Sequence, residues 1–246
     1  MKDISIVIPV LNSHEVFRRH MTYLERILKK SDKVEIIIVD DGSSPALSYE
    51  NDFDLDFKIE YTHDERPWTW ALARNRGARL AKGKYLLMYD IDHFPAREIF
   101  DILPTCDTDK VIFHREFGIL NEQGELSQDL DTLVDYGFNM DRYKRHKLRI
   151  TALPNNFAMK REVFWDIGGY REEFFRRAYP QGEDRYFKKS WLMWQRENNG
   201  TCSDQRPIIY MFPNGYLVDG DVDADPKKLF HTLTRKTKRN SKYRRK

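Results

Sequence analysis

Three short apolar runs constrain this chain most: Ile4-Ser5-Ile6-Val7-Ile8, Val34-Glu35-Ile36-Ile37-Ile38-Val39 and Tyr85-Leu86-Leu87-Met88-Tyr89. Their shortness and their β-branched or aromatic content predict strands buried on both faces rather than helices. Between the first two, Glu15 to Lys30 places Val16, Tyr23, Leu24, Ile27 and Leu28 roughly at helical spacing. Before the third, Trp70 to Ala81 repeats that rhythm, and Phe57 to Tyr61 reads as a further strand. Strands alternating with helices predict an α/β fold, a mostly parallel central sheet flanked by helices on both faces. In such sheets ligands gather beyond the carboxyl ends of the strands. That rule points to Pro9–Asn12, Asp40–Ser44 and Asp90–His93.

After Phe94 the pattern loosens. Val111 to His114 reads as another strand, and Asn121 to Arg149 is polar, with a basic cluster at residues 143–147. Regularity returns at Asn156 to Lys160 and in a helix from about Gly182 to Glu197. With no internal repeat and no low-complexity linker, residues 1–234 are expected to form one domain built from two halves, 1–95 and 96–234. No stretch of eighteen uncharged apolar residues occurs, so no transmembrane segment is expected. The opening MKDISIVIPVLN lacks a signal-peptide cleavage site and reads as the first strand. Cys106 and Cys202 are too few for a disulfide framework or a zinc cluster, which makes a reducing cytoplasm the default, peripheral attachment to a membrane being compatible with it.

Charge is unevenly spread. Residues 235–246 carry eight Lys/Arg and no acid, leaving 34 basic against 39 acidic residues elsewhere, a formal −5. A cationic tail on an acidic body suits an anionic partner such as nucleic acid, phospholipid or a charged glycan. A solubilising, frayed terminus accounts for it equally well.

Asp90-Ile91-Asp92 sets two carboxylates one residue apart at the end of an apolar strand. Buried together without a partner they would cost several kcal/mol in desolvation and repulsion. A divalent cation resolves the conflict, and Mg²⁺ or Mn²⁺ favours such oxygen ligands together with substrate phosphates. Alone, this pattern is weak, because it is common in exposed loops. Val39-Asp40-Asp41-Gly42-Ser43 ends a strand in an acidic turn; this is ordinary turn chemistry, and equally a carboxylate able to accept the imide N–H of uracil. Ala73-Arg74-Asn75-Arg76-Gly77 carries an Arg74 whose planar fork suits a diphosphate or nucleobase, with surface salt bridging as the plainer alternative.

Taken in order, IVIPVLN, VDDGSS and ARNRGARLAKGKYLLMYDID resemble the nucleotide-binding half of family 2 type GT-A glycosyltransferases, over about residues 4–95. The resemblance implies a GT-A (Rossmann-like) sheet with an acceptor-side C-terminal half, and transfer of a sugar from a nucleotide-sugar, UDP-linked for preference, to a hydroxyl. It assigns the uridine to Pro9, Val10, Asn12 and Asp41, a nucleotide contact to Arg74, and a Mn²⁺ or Mg²⁺ ion bridging the donor phosphates to Asp90 and Asp92. NNFAMKREVFWDIGGYREEFFRRAYPQGEDRYFKKSW is similar to the family's acceptor-side segment, and also to galactosyl- and N-acetylgalactosaminyltransferases. By that likeness Asp184 is the general base and Glu183 positions the acceptor or the sugar. Both inverting and retaining outcomes stay open, with inversion favoured. Many relatives carry a further metal-ligating His after this segment; His231 occupies that place, and His93 competes with it.

The resemblance makes a glycan or polysaccharide precursor the default acceptor, with a protein and a modified base in DNA as alternatives. A non-catalytic module that binds anionic polymers on the same fold is the other reading. The set Asp90, Asp92, Glu183 and Asp184 argues against it. A nucleotidyltransferase would carry a Gly-rich basic loop after its first strand, and PVLNSHE is not one.

Overall fold

The structure is a computed structural model that describes residues 2–29, 31–49, 52–64, 69–136, 138, 149–151, 154–173 and 183–213. The first half runs β1 (Ile4–Val10), α1 (His14–Leu28), β2 (Val34–Asp40), β3 (Phe57–Tyr61), α2 (Trp70–Leu80) and β4 (Tyr85–Met88). The second continues with β5 (His93–Pro95), α3 (Glu98–Ile102), β6 (Lys110–Ile112), β7 (His114–Phe117), β8 (Ile119–Leu120), β9 (Leu126–Ser127) and α4 (Leu130–Asp135). After these come β10 (Arg149–Thr151), β11 (Phe157–Lys160), α5 (Arg161–Asp166), α6 (Glu183–Glu197) and β12 (Ile208–Met211).

The central sheet has six strands in the order β3-β2-β1-β4-β11-β6. Strands β3, β2, β1 and β4 are mutually parallel, while β11 runs antiparallel to both β4 and β6. This is the mostly parallel α/β sheet that the alternating runs predict. The continuous apolar runs follow from burial on both faces. Ile6 and Ile8 of β1 and Ile36 and Ile38 of β2 pack with Val16, Phe17, Met21 and Leu24 of α1. Val7, Ile37 and Val39, pointing the other way, pack with Ala71, Ala73 and Ala78 of α2 and with Phe187 and Trp191 of α6. Gly77 permits the close approach of α2, because a Cβ there would lie 2.4 Å from Val7 Cγ1.

Glu35 breaks the apolar run of β2 and is buried, yet it is satisfied. Its Oε1 accepts from Ser5 Oγ at 2.6 Å and from the Lys82 N–H at 2.5 Å. This network ties the amino-terminal ends of β1 and β2 to the segment leading into β4, opposite the strand ends where ligands are expected.

A second sheet, β10-β7-β12-β5, was not foreseen from the sequence. Val111 to His114 divides between two sheets, Lys110–Ile112 joining the central one and His114–Phe117 the other. In the second sheet β12 pairs parallel with β7 and antiparallel with β5, matching Met211 to both Phe117 and His93. It lies directly after the Asp90–Asp92 turn and holds it, with the Phe212 N–H donating to Asp92 O at 2.9 Å.

Candidate functional site

The carboxyl ends of β1, β2 and β4 converge, and side chains lock their loops. Beyond β1, Asn12 adopts a left-handed φ of 48°, which Asn tolerates better than most residues. Its side-chain Oδ1 accepts from the Ser44 N–H at 2.8 Å, and its own N–H donates to Ser43 Oγ at 2.9 Å, joining the β1 loop to the β2 loop. Asp40 is a turn organiser: Oδ1 accepts from the Gly42 and Ser43 N–H groups at 3.1 and 2.7 Å, and Oδ2 from Leu47 at 2.9 Å. Asp41 is fully buried. Its Oδ1 accepts from Thr62 Oγ1 at 3.1 Å and from Thr69, the residue preceding α2. Its N–H donates to Val10 O at 2.8 Å. Pro9 and Val10 are buried beside it, beyond the point where the β1–β4 ladder ends at Val7.

At the end of β4, Asp90 and Asp92 are each about one-quarter exposed, and His93 lies buried behind them. One ligand atom from each of the three lies within 4.8 Å of the others, a spacing that a divalent ion can span. His93 Nδ1 donates to Asp92 Oδ1 at 2.6 Å. Its Nε2 is buried with no hydrogen-bond partner. The hydrogen bond from Nδ1 fixes the Asp92 carboxylate, as outer-shell partners of metal-binding groups do. Burial alone would raise the Asp92 carboxyl, but His93 and, further away, Arg115 bring it below its ordinary value. The residues therefore fit a hard divalent cation.

Arg74, fully buried on α2, donates through Nη2 to Asp90 Oδ1. Burial opposes its charge, and Asp90 more than restores it. Its Nε and Nη1 have no partner, so a donor-only pair of N–H groups remains beside the acidic turn. The guanidinium sits 5.3 Å over the Tyr170 ring, which stacks on Phe187 of α6 at 4.4 Å. Through this stack, α6 brings its first residues to the cluster. Glu183 is pushed above the usual carboxylate range, first by burial and also by the charges of Asp184 and Asp90, with Arg74 opposing. Asp184 Oδ1 accepts from the Arg185 N–H at 2.7 Å.

The sequence reading missed the role of Asn75. Its Oδ1 accepts from the Tyr170 N–H at 2.9 Å, and its Nδ2 donates to Tyr170 O at 2.7 Å and to Glu172 Oε1 at 2.8 Å. Asn75 thus fixes Tyr170, and with it the platform under Arg74. At helical spacing it passed for an ordinary α2 residue; its place beside Arg74 and ahead of Gly77 was the available signal. The structure brings Arg74, Asp90, Asp92, Glu183 and Asp184 into one electrostatic neighbourhood, and Pro9, Val10, Asn12 and Asp41 to adjoining strand ends. His231, the basic tail 235–246 and the 143–147 cluster lie outside the described residues. Among the described residues, His93 joins the acidic pair. No helix among them is long and apolar enough to cross a membrane.

A glycosyltransferase, GlyG, of Streptococcus pneumoniae serotype 4 is 31% identical over 103 residues, covering 41% of this chain and 33% of that protein. An uncharacterized glycosyltransferase of Rickettsia felis is 31% identical over 126 residues, covering 50% of this chain and 20% of that protein. This chain thus matches about a third and a fifth of their lengths. Residues 1–349 of S. aureus TarS share the fold, with a TM-score of 0.51 at 18% identity over 86% of this chain and 60% of that one. The same protein in complex with UDP-GlcNAc gives 0.52 at 16% identity, covering 96% and 66%. The family model described as glycosyl transferase family 2 matches residues 5–168, well over half of the chain. The chain belongs to glycosyl transferase family 2.

Proposed function

We propose that this chain is a metal-dependent transferase that moves a sugar from a UDP-sugar to an acceptor hydroxyl on a glycan or polysaccharide precursor. The observation that carries the reading is the cluster of Asp90, Asp92 and His93 at the end of β4, backed by the buried Arg74. S. aureus TarS, similar in fold, has been solved with UDP and with UDP-GlcNAc, which supports a uridine donor. Asp90, Asp92 and His93 would hold Mn²⁺ or Mg²⁺, with His231 as the further ligand. When bound, such an ion supplies a Lewis acid that neutralises charge on the diphosphate leaving group.

The chain's own residues divide the remaining work. Pro9, Val10, Asn12 and Asp41 hold the uridine in the β1 and β2 loops, which are already cross-linked by hydrogen bonds. Arg74 orients Asp90 and offers its two unpartnered N–H groups to the phosphates. Asp184 takes the proton from the attacking acceptor hydroxyl, and an ionised carboxylate needs no raised pKa for this. That role implies inversion at the anomeric carbon. Glu183, above the ordinary carboxylate range, positions the acceptor or sugar by hydrogen bonding.

The test is release of UDP from a panel of UDP-sugars with Mn²⁺, with EDTA, and by the Asp92→Ala variant. Release with one sugar that falls at least a hundredfold in EDTA and in Asp92→Ala supports the reading. No metal-dependent binding of UDP by calorimetry would sink it.

A further inference from the structure

Asn156, the residue before β11, is only 1% exposed, yet neither its Nδ2 nor its Oδ1 has a hydrogen-bond partner. Leaving both ends of a buried carboxamide idle forfeits its hydration with nothing in return, and native structures rarely tolerate it without a reason. Its position is specific. Phe157 pairs with Met88, so the antiparallel register carried one residue further sets Asn156 against Tyr89, immediately before Asp90. Side chains alternate along a strand, which places Asn156 on the face that Ala158 shares with Tyr89 and Phe113. Arg74 reaches Asp90 from the opposite face, where α2 packs.

The end of β4 at Tyr89–Asp90 therefore carries unpartnered polar groups of different chemistry on its two faces. Arg74 offers donors only, which match phosphate oxygens. Asn156 offers one donor and one acceptor side, which match a group that also does both, such as an alcohol hydroxyl. A uracil edge has the same dual character, but the loops suited to it lie at β1 and β2, on the other side of β4 from β11.

We infer that Asn156 is a specificity-determining residue whose carboxamide pairs with a hydroxyl of the donor sugar. This rests on the UDP-sugar reading above. A site that hydrogen-bonds a hydroxyl discriminates against a sugar that places it elsewhere, because the buried amide is then left unpaired.

Calorimetric titrations with Mn²⁺ present test it, using UDP, UDP-GlcNAc, UDP-GalNAc, UDP-glucose and UDP-galactose on the wild type, Asn156→Leu and Asn156→Asp. Asn156→Leu should bind UDP within about twofold of the wild type, while the preference between epimeric UDP-sugars collapses by about tenfold. Asn156→Asp, which keeps the shape and loses the donor, should fall between the two. Three outcomes overturn the inference: UDP and UDP-sugars weakening by the same factor, a preference unchanged in Asn156→Leu, or a wild type that does not distinguish epimers. An unchanged preference together with a higher melting temperature would mean that the carboxamide is an unsatisfied core group that meets no ligand. Failure of the wild type to bind UDP would instead strike the underlying reading, and the two failures are thereby told apart.

Discussion

Residues 4–88 and residues 93–213 are held together by different means. In the first stretch β1, β2 and β3 each lie beside a neighbour close in sequence, β4 returns to pair with β1, and dense apolar packing against α1 and α2 carries the structure. The second reaches its place through long-range pairings and discrete polar clamps. Asn75 grips Tyr170, and Asp109 Oδ2 accepts from the Thr201 N–H and Oγ1 at 2.8 and 2.9 Å while Oδ1 pairs with Lys160 at 3.1 Å. The acidic cluster lies on the seam, with Asp90 just beyond the first stretch and Glu183 supplied by the second. Its geometry therefore depends on the clamps as well as on the core.

Substitutions can break that contrast. The largest effect is expected for Asp90→Ala, which leaves the fully buried Arg74 without its carboxylate. Urea unfolding should show a loss of about 3–5 kcal/mol. An Arg74→Met/Asp90→Ala double variant should recover most of that loss, because the stranded charge goes with the arginine. Asn75→Ala should cost about 2–3 kcal/mol by removing the grip on Tyr170. Amide exchange should accelerate more at Tyr170 than in β1 and β2; uniform acceleration would mean that the clamp is not local.

A smaller effect, of opposite sign, is expected at Lys110. Its buried ammonium sits over the Phe157, Phe187 and Trp191 rings at 4.7, 5.4 and 5.2 Å, beneath α6. Burial lowers it from 10.5 to about 8. The unfolded chain thus binds more protons between those values, so the wild type gains stability as pH rises through that window. Lys110→Met should raise stability by about 2 kcal/mol at pH 7, with the advantage shrinking toward pH 10.5 in thermal melts. The smallest is Lys29→Gly, at the left-handed residue (φ 45°) that closes α1. Relieving a side chain there should stabilise the protein by about 0.5–1 kcal/mol without touching the seam, read as a shift in the urea midpoint.

The same contrast decides what could be read from the residues alone. Glu15–Lys30 and Trp70–Ala81 map onto α1 and α2 within two residues, because helical rhythm and continuous apolar strands are local signals. The Asp90–Asp92 turn was legible for the same reason. His114–Phe117 and Ile208–Met211 were not, because strands of four residues acquire meaning only when they meet, and some ninety residues separate them. Neither was Asn156 legible, since an idle carboxamide becomes visible only once its burial is known.

The place of β11 has a further consequence, for synthesis. When β4 leaves the ribosome, β1 is already available on one side, but Phe157, which pairs with Met88 on the other, is translated sixty-nine positions later. At roughly 5–20 residues per second, that edge waits about 3–14 seconds with a row of unmet N–H and carbonyl groups on an apolar strand. A nascent chain in that interval is open to pairing with another like it. Faster filling of that gap, or a chaperone that covers Tyr85–Met88, would govern how much of the newly made protein reaches the native sheet.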